Sequence, residues 1–307
     1  MSVHVATKTL AAIDAAIEKD GGALFREYSG KVLPHIGDAY RGDAFPFRNH
    51  MGASGIGDQC LRKVWYGFRW VTKPTFPARV LRLFNRGHLE EGRFIALLLA
   101  IGCKVVQQDS QGRQFTISES GGHFGGSGDG VVFDLPDLDP NTPALSEFKT
   151  ASDKKFKVFK KEGVKKANWV YYIQMQVYMR KMGLAVAFFM VVNKNDDDLY
   201  AELVFLDDKI ADEYLARGRD AVFYKTAPIK INEQVGWWEC RFCDHKPVCK
   251  LGDAPERNCR TCEHANIVPD GTWRCDLDIN NKPRDKHEQL AGCSDYTMAS
   301  LFDGVAK

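Results

Sequence analysis

Two acidic residues and a lysine stand at a spacing that could hold a metal ion. Asp129 lies in Gly-Gly-Ser-Gly-Asp-Gly-Val-Val, where a turn delivers it to the start of an apolar strand over 131–135. Downstream, residues 145–150 read Leu-Ser-Glu-Phe-Lys-Thr and have the character of a short buried strand. Side chains alternate across a strand, so Glu147 and Lys149 share a face. Buried charge is costly unless it is paired or bound to metal. An Asp at a strand start, followed by Glu-x-Lys on the next strand, describes a two-carboxylate metal site with a lysine beside it. Glu-x-Lys taken alone is equally a solvated hairpin whose exposed ion pair contributes little.

The nine cysteines are the second chemical signal. Cys240-Arg-Phe-Cys243 is followed by Cys249, then by Cys259-Arg-Thr-Cys262, Cys275 and Cys293. Two thiolates one turn apart can grip one ion, so paired Cys-x-x-Cys motifs point to metal. The partition is open. Cys240, Cys243, Cys259 and Cys262 could form one zinc ribbon. Alternatively, the first three cysteines take a distant fourth ligand, and Cys259, Cys262, Cys275 and Cys293 form a second site. His245, His264 and His287 are alternative ligands, and Cys103 reads as a core residue.

These residues need elements to position them. A helical pattern over 79–101 places Leu81, Phe84, His88, Glu91, Ile95 and Leu98 on one stripe, with Glu91 inside it and Glu90 rotated about 100° away. A helix over 58–70 carries Cys60 in its first turn. A second clear helix spans 167–182, with Gln174 and Tyr178 one turn apart on one face. Residues 104–108, 185–192 and 199–206 read as strands, and 208–224 as a helix. Helices alternating with strands argue for an α/β fold, a mixed sheet flanked by helices. Residues 1–50 hold one short helix over 10–17 and otherwise no clear period, an arm without an assigned role. Six glycines in 121–130 suit a tight turn with close backbone approach, and no phosphate-cradling motif follows them. Between 149 and 166 there are eight lysines against Asp153 and Glu162. Such a run is commonly a solvated face, but beside a metal site it fits a groove that tracks phosphates.

In this order the motifs resemble the PD-(D/E)xK nuclease superfamily, in its RecB-like exonuclease branch. Arg86-Gly-His-Leu-Glu-Glu91 looks like the first motif, Gly-Gly-Ser-Gly-Asp129-Gly the second, Glu147-Phe-Lys149 the third, and Gln174-Met-Gln-Val-Tyr178 the branch's Gln-x-x-x-Tyr. Glu91, where other members carry His, is the choice of the lambda/YqaJ-type phage exonucleases. Cys60, with the Cys240-x-x-Cys243-x5-Cys249 run, is similar to the iron–sulfur staple of the Cas4/AddB type. The resemblance implies a restriction-endonuclease-like core over 51–235 and a cysteine-rich region over 236–307. It implies Mg²⁺ or Mn²⁺ held by Glu91, Asp129, Glu147 and the Phe148 carbonyl, hard oxygen ligands for a hard cation. Lys149, Gln174 and Tyr178 complete the site. It also implies a [4Fe–4S] cluster on Cys60, Cys240, Cys243 and Cys249. Cys259, Cys262, Cys275 and Cys293 have no counterpart in the family and are read as zinc ligands.

The implied activity is metal-dependent DNA exonuclease cleavage in recombination, repair or phage DNA processing. Arg62, Lys154, Lys155, Lys157, Lys160, Lys161, Lys165 and Lys166 would contact phosphates. No helicase motif is present, so a motor or recombination partner would be a separate chain. A structure-specific or single-strand endonuclease on the same fold is the alternative. A non-catalytic nucleic-acid-binding protein is a third reading, which the intact Asp129, Glu147 and Lys149 set disfavours. No apolar run spans a membrane and no signal peptide is evident, so a cytoplasmic location is expected.

Overall fold

The apolar runs between residues 104 and 206 pair into one six-stranded sheet, joined by a short strand from near the start of the chain. The computed structural model describes residues 3–40 and 45–302. In chain order the strands are β1 (His4–Val5), β2 (Lys104–Val106), β3 (Val131–Phe133), β4 (Ala144–Ala151), β5 (Val186–Asn193) and β6 (Leu199–Phe205). Their spatial order is β1-β6-β5-β4-β3-β2. All pairs are antiparallel except β4 with β5, which run parallel from Ala144↔Val186 to Ala151↔Asn193. A parallel pair needs a crossover, and the chain supplies it with two helices.

The helices of this part are α1 (Thr7–Asp20), α2 (Ala23–Val32), α3 (Ala78–Ala100), α4 (Asp153–Ala167) and α5 (Trp169–Met182). Alternation along β4 sorts its side chains between two layers. Phe148 stacks on Phe94 of α3 at 5.2 Å, in a core that includes Ile13, Leu98, Phe188 and Met190. Glu147 and Lys149 face the other way, toward Gln174 and Tyr171 of α5. On that side Phe159 of α4 packs against Phe189 at 5.2 Å. The fold is therefore α/β, a central mixed sheet flanked by helices.

The chain divides into two units. One gathers residues 3–40, 76–117 and 127–212, including the whole six-stranded sheet; the other gathers 45–75, 118–126 and 213–302. The second unit has a short helix, Leu61–Phe68, a hairpin pairing Ala265–Ile267 with Trp273–Cys275, and a one-turn helix, Lys286–Ala291. A guanidinium fills its centre. Arg260 is 1% exposed and lies 3.7 Å over the Trp70 ring and 4.7 Å from that of Trp273. It donates to the Phe68 carbonyl, Gln289 Oε1 and Asn49 Oδ1. Burial, with Arg69 nearby, pushes its pKa down to about 8.

Three expectations change. The beginning of the chain is not an arm without pattern. The helix expected over 10–17 is present within α1, closed by Gly21 in the left-handed conformation, and the unexpected element is α2, whose aromatic and polar residues hid its period. Cys60 lies just before its helix instead of inside it. Glu90 is also buried on α3, at 6% exposure and held by Arg93 at 3.1 Å, beside a half-buried Glu91.

The turn before β3 depends on Gly130. Its φ is 141°, and a Cβ there would lie 2.7 Å from the Val106 carbonyl oxygen. Gly130→Ala should destabilise the protein by about 1–3 kcal/mol, the range for a strained backbone position, and lower Tm by several degrees. A melting curve superimposable on the wild type would contradict this reading of the turn.

Candidate functional site

β4 and the turn before β3 bring the acidic residues together. The Gly130 carbonyl accepts from Ser146 N–H at 3.0 Å, which ties the turn to β4. Phe148 N–H then donates to Asp129 Oδ2 at 3.2 Å. Tyr178, 2% exposed, sets its ring beside Gly128 and so backs the same turn. Glu147, 2% exposed, receives Gln174 Nε2 on Oε2 at 2.9 Å and forms an ion pair with Lys149 through Oε1. Lys149 Nζ also donates to the Phe148 carbonyl at 3.2 Å and lies 5.1 Å from the centre of the Tyr171 ring. Asn168 caps α5 by accepting from Tyr171 N–H, which fixes the turn that presents Tyr171 and Gln174.

Glu91 of α3, Asp129, Phe148 and Lys149 line one cleft of about 400 Å³, with His88 and Lys194 on its wall. Glu147 lies beneath it. The electrostatics show how close the acids are. Burial pushes Glu91 up to about 7, and the charges of Asp129 and Glu147 add to that, against the opposing pull of Lys149 and a hydrogen bond from Gln107. Burial likewise pushes Glu147 up to about 7, Lys149 opposing and Asp129 reinforcing. Burial alone would lower Lys149, but Glu147 and Asp129 outweigh it and raise its pKa. Lys149 thus interacts with three carboxylates, with Lys194 the second ammonium on the cleft wall, and such a group of oxygens is the donor set a hard divalent cation would take.

The expected phosphate-binding residues lie elsewhere. Lys154, Lys155, Lys157, Lys160, Lys161, Lys165 and Lys166 all belong to α4, and none lines the carboxylate cleft. Lys157 pairs with Asp153 and Lys160 with Asp198, each at 2.8 Å. Lys155 donates to the Ala167 carbonyl. Arg62 donates to the Pro228 carbonyl at 2.5 Å and lies over the Tyr66 ring. Tyr171 and Gln107 are contributors the motif reading missed. Tyr171 precedes Gln174 by one helical turn, a signal present in the sequence. Gln107 follows an edge strand and carries none.

All nine cysteines are free thiols. Cys60, Cys240, Cys243 and Cys249 line one small cavity, in company with Arg62, Lys63, Lys230, Lys246 and Lys250. Cys259, Cys262, Cys275 and Cys293 line another. In the second, burial pushes Cys259 up to about 11, and Cys293, Cys262 and Cys275 push the same way. Cys103 is a buried core residue, 3% exposed. Among the described residues, no three His, Cys, Asp or Glu side chains stand in a ready geometry for a metal ion. No helix among them is long and apolar enough to cross a membrane.

No family model matches the chain, and no curated protein matches it. Among solved structures it is similar to LHK-Exo, an alkaline exonuclease from Laribacter hongkongensis. Two crystal structures of that protein, one in complex with dAMP, are each 17% identical, with a TM-score of 0.41, covering 64% of this chain and 90% of theirs. The structure of SSO0001 is 13% identical, with a TM-score of 0.38, covering 74% of this chain and 94% of that one.

The Gln174 amide is the hydrogen-bond donor to the buried Glu147 Oε2. Gln174→Ala leaves that oxygen without it and should cost about 1–3 kcal/mol, read as a lower denaturant midpoint at unchanged slope. An unchanged midpoint would mean that Glu147 does not depend on this contact.

Proposed function

We propose that this chain is a divalent-metal-dependent deoxyribonuclease of the PD-(D/E)xK type, on a restriction-endonuclease-like core, acting as an exonuclease. One observation carries the reading. A single strand holds Glu147 and Lys149 side by side, and Lys149 lines one cleft with Asp129 and Glu91, so that three carboxylates act on one another there.

The donor set suits Mg²⁺ or Mn²⁺. Glu91, Asp129, Glu147 and the Phe148 carbonyl would hold the ion; when bound it supplies Lewis-acid activation of water and of the phosphoryl oxygen. The chain's own residues do the rest. Gln174 fixes the Glu147 carboxylate. Tyr178 backs the turn that carries Asp129. Lys149, anchored on the Phe148 carbonyl, reaches the cleft where it can orient water and steady charge developing on the phosphate.

The two groups of four cysteines supply the thiolates such sites use, although among the described residues their side chains do not stand ready around an ion. Thiolates carry negative charge, and the five cations around Cys60, Cys240, Cys243 and Cys249 would offset the charge of a [4Fe–4S] cluster. Cys259, Cys262, Cys275 and Cys293 would hold Zn²⁺, which favours four thiolates in a closed site. Both would contribute to folding, because the second unit has few regular elements of its own.

Lys149→Ala should reduce Mn²⁺-dependent cleavage of DNA by at least about a hundredfold while leaving affinity for DNA within a fewfold of the wild type. Equal loss of binding would place the lysine in affinity, not in the reaction. Cys243→Ser should lose brown absorbance and solubility together. A wild type purified without oxygen that is colourless and contains zinc alone would overturn the iron–sulfur assignment.

A further inference from the structure

α4 is broken at Gly163, and the break is fixed in place. Gly163 has φ 72° and ψ 166°, which frees the Val164 N–H from the helix. That N–H donates to Glu202 Oε2 at 2.8 Å, and the Tyr200 hydroxyl donates to the same oxygen at 2.9 Å. A Cβ at residue 163 would stand 2.7 Å from Val3 Cγ2 and 3.1 Å from Glu202 Oε1. The kink therefore requires glycine, and Glu202, 5% exposed, spends its acceptors inside the fold.

On both sides of the kink the chain borders a cleft of about 630 Å³, larger than the carboxylate cleft and sharing none of its lining residues. Leu203, Val204 and Phe205 of β6 line it together with Trp169 of α5, and Lys161, Lys165 and Lys166 also line it. Phe205 is 48% exposed, with the His4 ring set against it at 83°. Trp169 is half-buried and packs on Tyr172 at 5.4 Å. Earlier in the helix Lys157 and Lys160 have acid partners. Lys161 and Lys166 have none among the described residues, and Lys165 reaches only the Tyr172 hydroxyl and ring. Glu162 is the one exposed acid at the cleft.

Unpaired lysines around an aromatic and aliphatic surface fit an anion with flat apolar parts, and the volume suits a nucleotide-sized ligand. A peptide strand is disfavoured, because β1 already covers the β6 edge at Leu203 and Glu202. We infer that this cleft is a second nucleic-acid site, one that takes single-stranded DNA. Lys161, Lys165 and Lys166 contact its phosphates, and Trp169 and Phe205 stack on its bases. The inference rests on the proposal that the chain acts on DNA. It assigns part of the lysine run to holding a single strand away from the carboxylates.

The test is fluorescence anisotropy of a labelled short oligothymidylate with the full chain, in EDTA, across a salt series. A Lys161→Gln/Lys166→Gln double variant should bind more weakly and flatten the slope of log K against log salt by about 1.4, two phosphates' worth on a single strand. Phe205→Ala should weaken binding by about fivefold or more. Wild-type affinity and slope in both variants would overturn the inference. So would an acidic, aromatic peptide that binds with the same lysine dependence while the oligothymidylate does not bind. Cleavage by the wild type in Mn²⁺ is measured separately. If the wild type cuts nothing while oligothymidylate binding depends on these residues, the nuclease reading fails and the single-strand site stands.

Discussion

Lys149 held among Glu91, Asp129 and Glu147 is the constraint around which the sheet-bearing unit is arranged. Lys149 sits two residues from Glu147 on β4, so strand alternation forces both onto one face. The fold then has to pay for burying them, with Gln174 on one Glu147 oxygen, Lys149 on the other, and the Phe148 N–H on Asp129. The contacts join β4 to α5 and to the turn before β3, and each limits what its element can do. α5 must begin at Asn168 so that Gln174 reaches β4. The turn at Gly130 must come close enough to Val106 that no side chain fits. Glu91 and Glu147 remain pushed up to about 7 even so. An arrangement that keeps like charges together at an internal cost is one that a bound cation would complete.

The β4 site was legible because its signals are local. Glu147 and Lys149 read as one strand face from two residues of spacing, and Gln174 and Tyr178 as one helix face from four. The crossover from β4 to β5 and the mixed sheet follow from apolar runs separated by helical periods. What was missed depends on contacts distant in sequence. Glu90 and Glu91 are adjacent, and periodicity placed only Glu91 in the stripe, whereas an arginine one turn away holds Glu90 inside as well. The lysine run looked uniform, but Asp153 and Asp198 pair Lys157 and Lys160 and leave Lys161 and Lys166 without an acid partner among the described residues. Gln107 reaches Glu91 from a loop that has no pattern at all.

The second unit shows a different economy. It buries a guanidinium between Trp70 and Trp273 with neutral partners, so its centre is held by stacking and by hydrogen bonds to Phe68, Gln289 and Asn49. A charge held this way is sensitive to the loss of any one partner. Eight of the nine cysteines belong to this unit and gather in two groups of four. The sequence left their partition open. The cavities separate Cys60 with the first three from the last four, a grouping that spacing alone could not decide because Cys60 lies so far upstream.

On the proposed function, the cleft lined by Glu91, Asp129 and Lys149 hydrolyses DNA from an end. The most direct measurement compares end-labelled linear DNA with covalently closed circular DNA, each in Mn²⁺ with and without EDTA. An exonuclease should degrade the linear substrate alone, and EDTA should abolish the loss. Nicking or linearising of the circle would contradict the exonuclease reading, and metal-independent or absent cleavage of both would contradict the site itself.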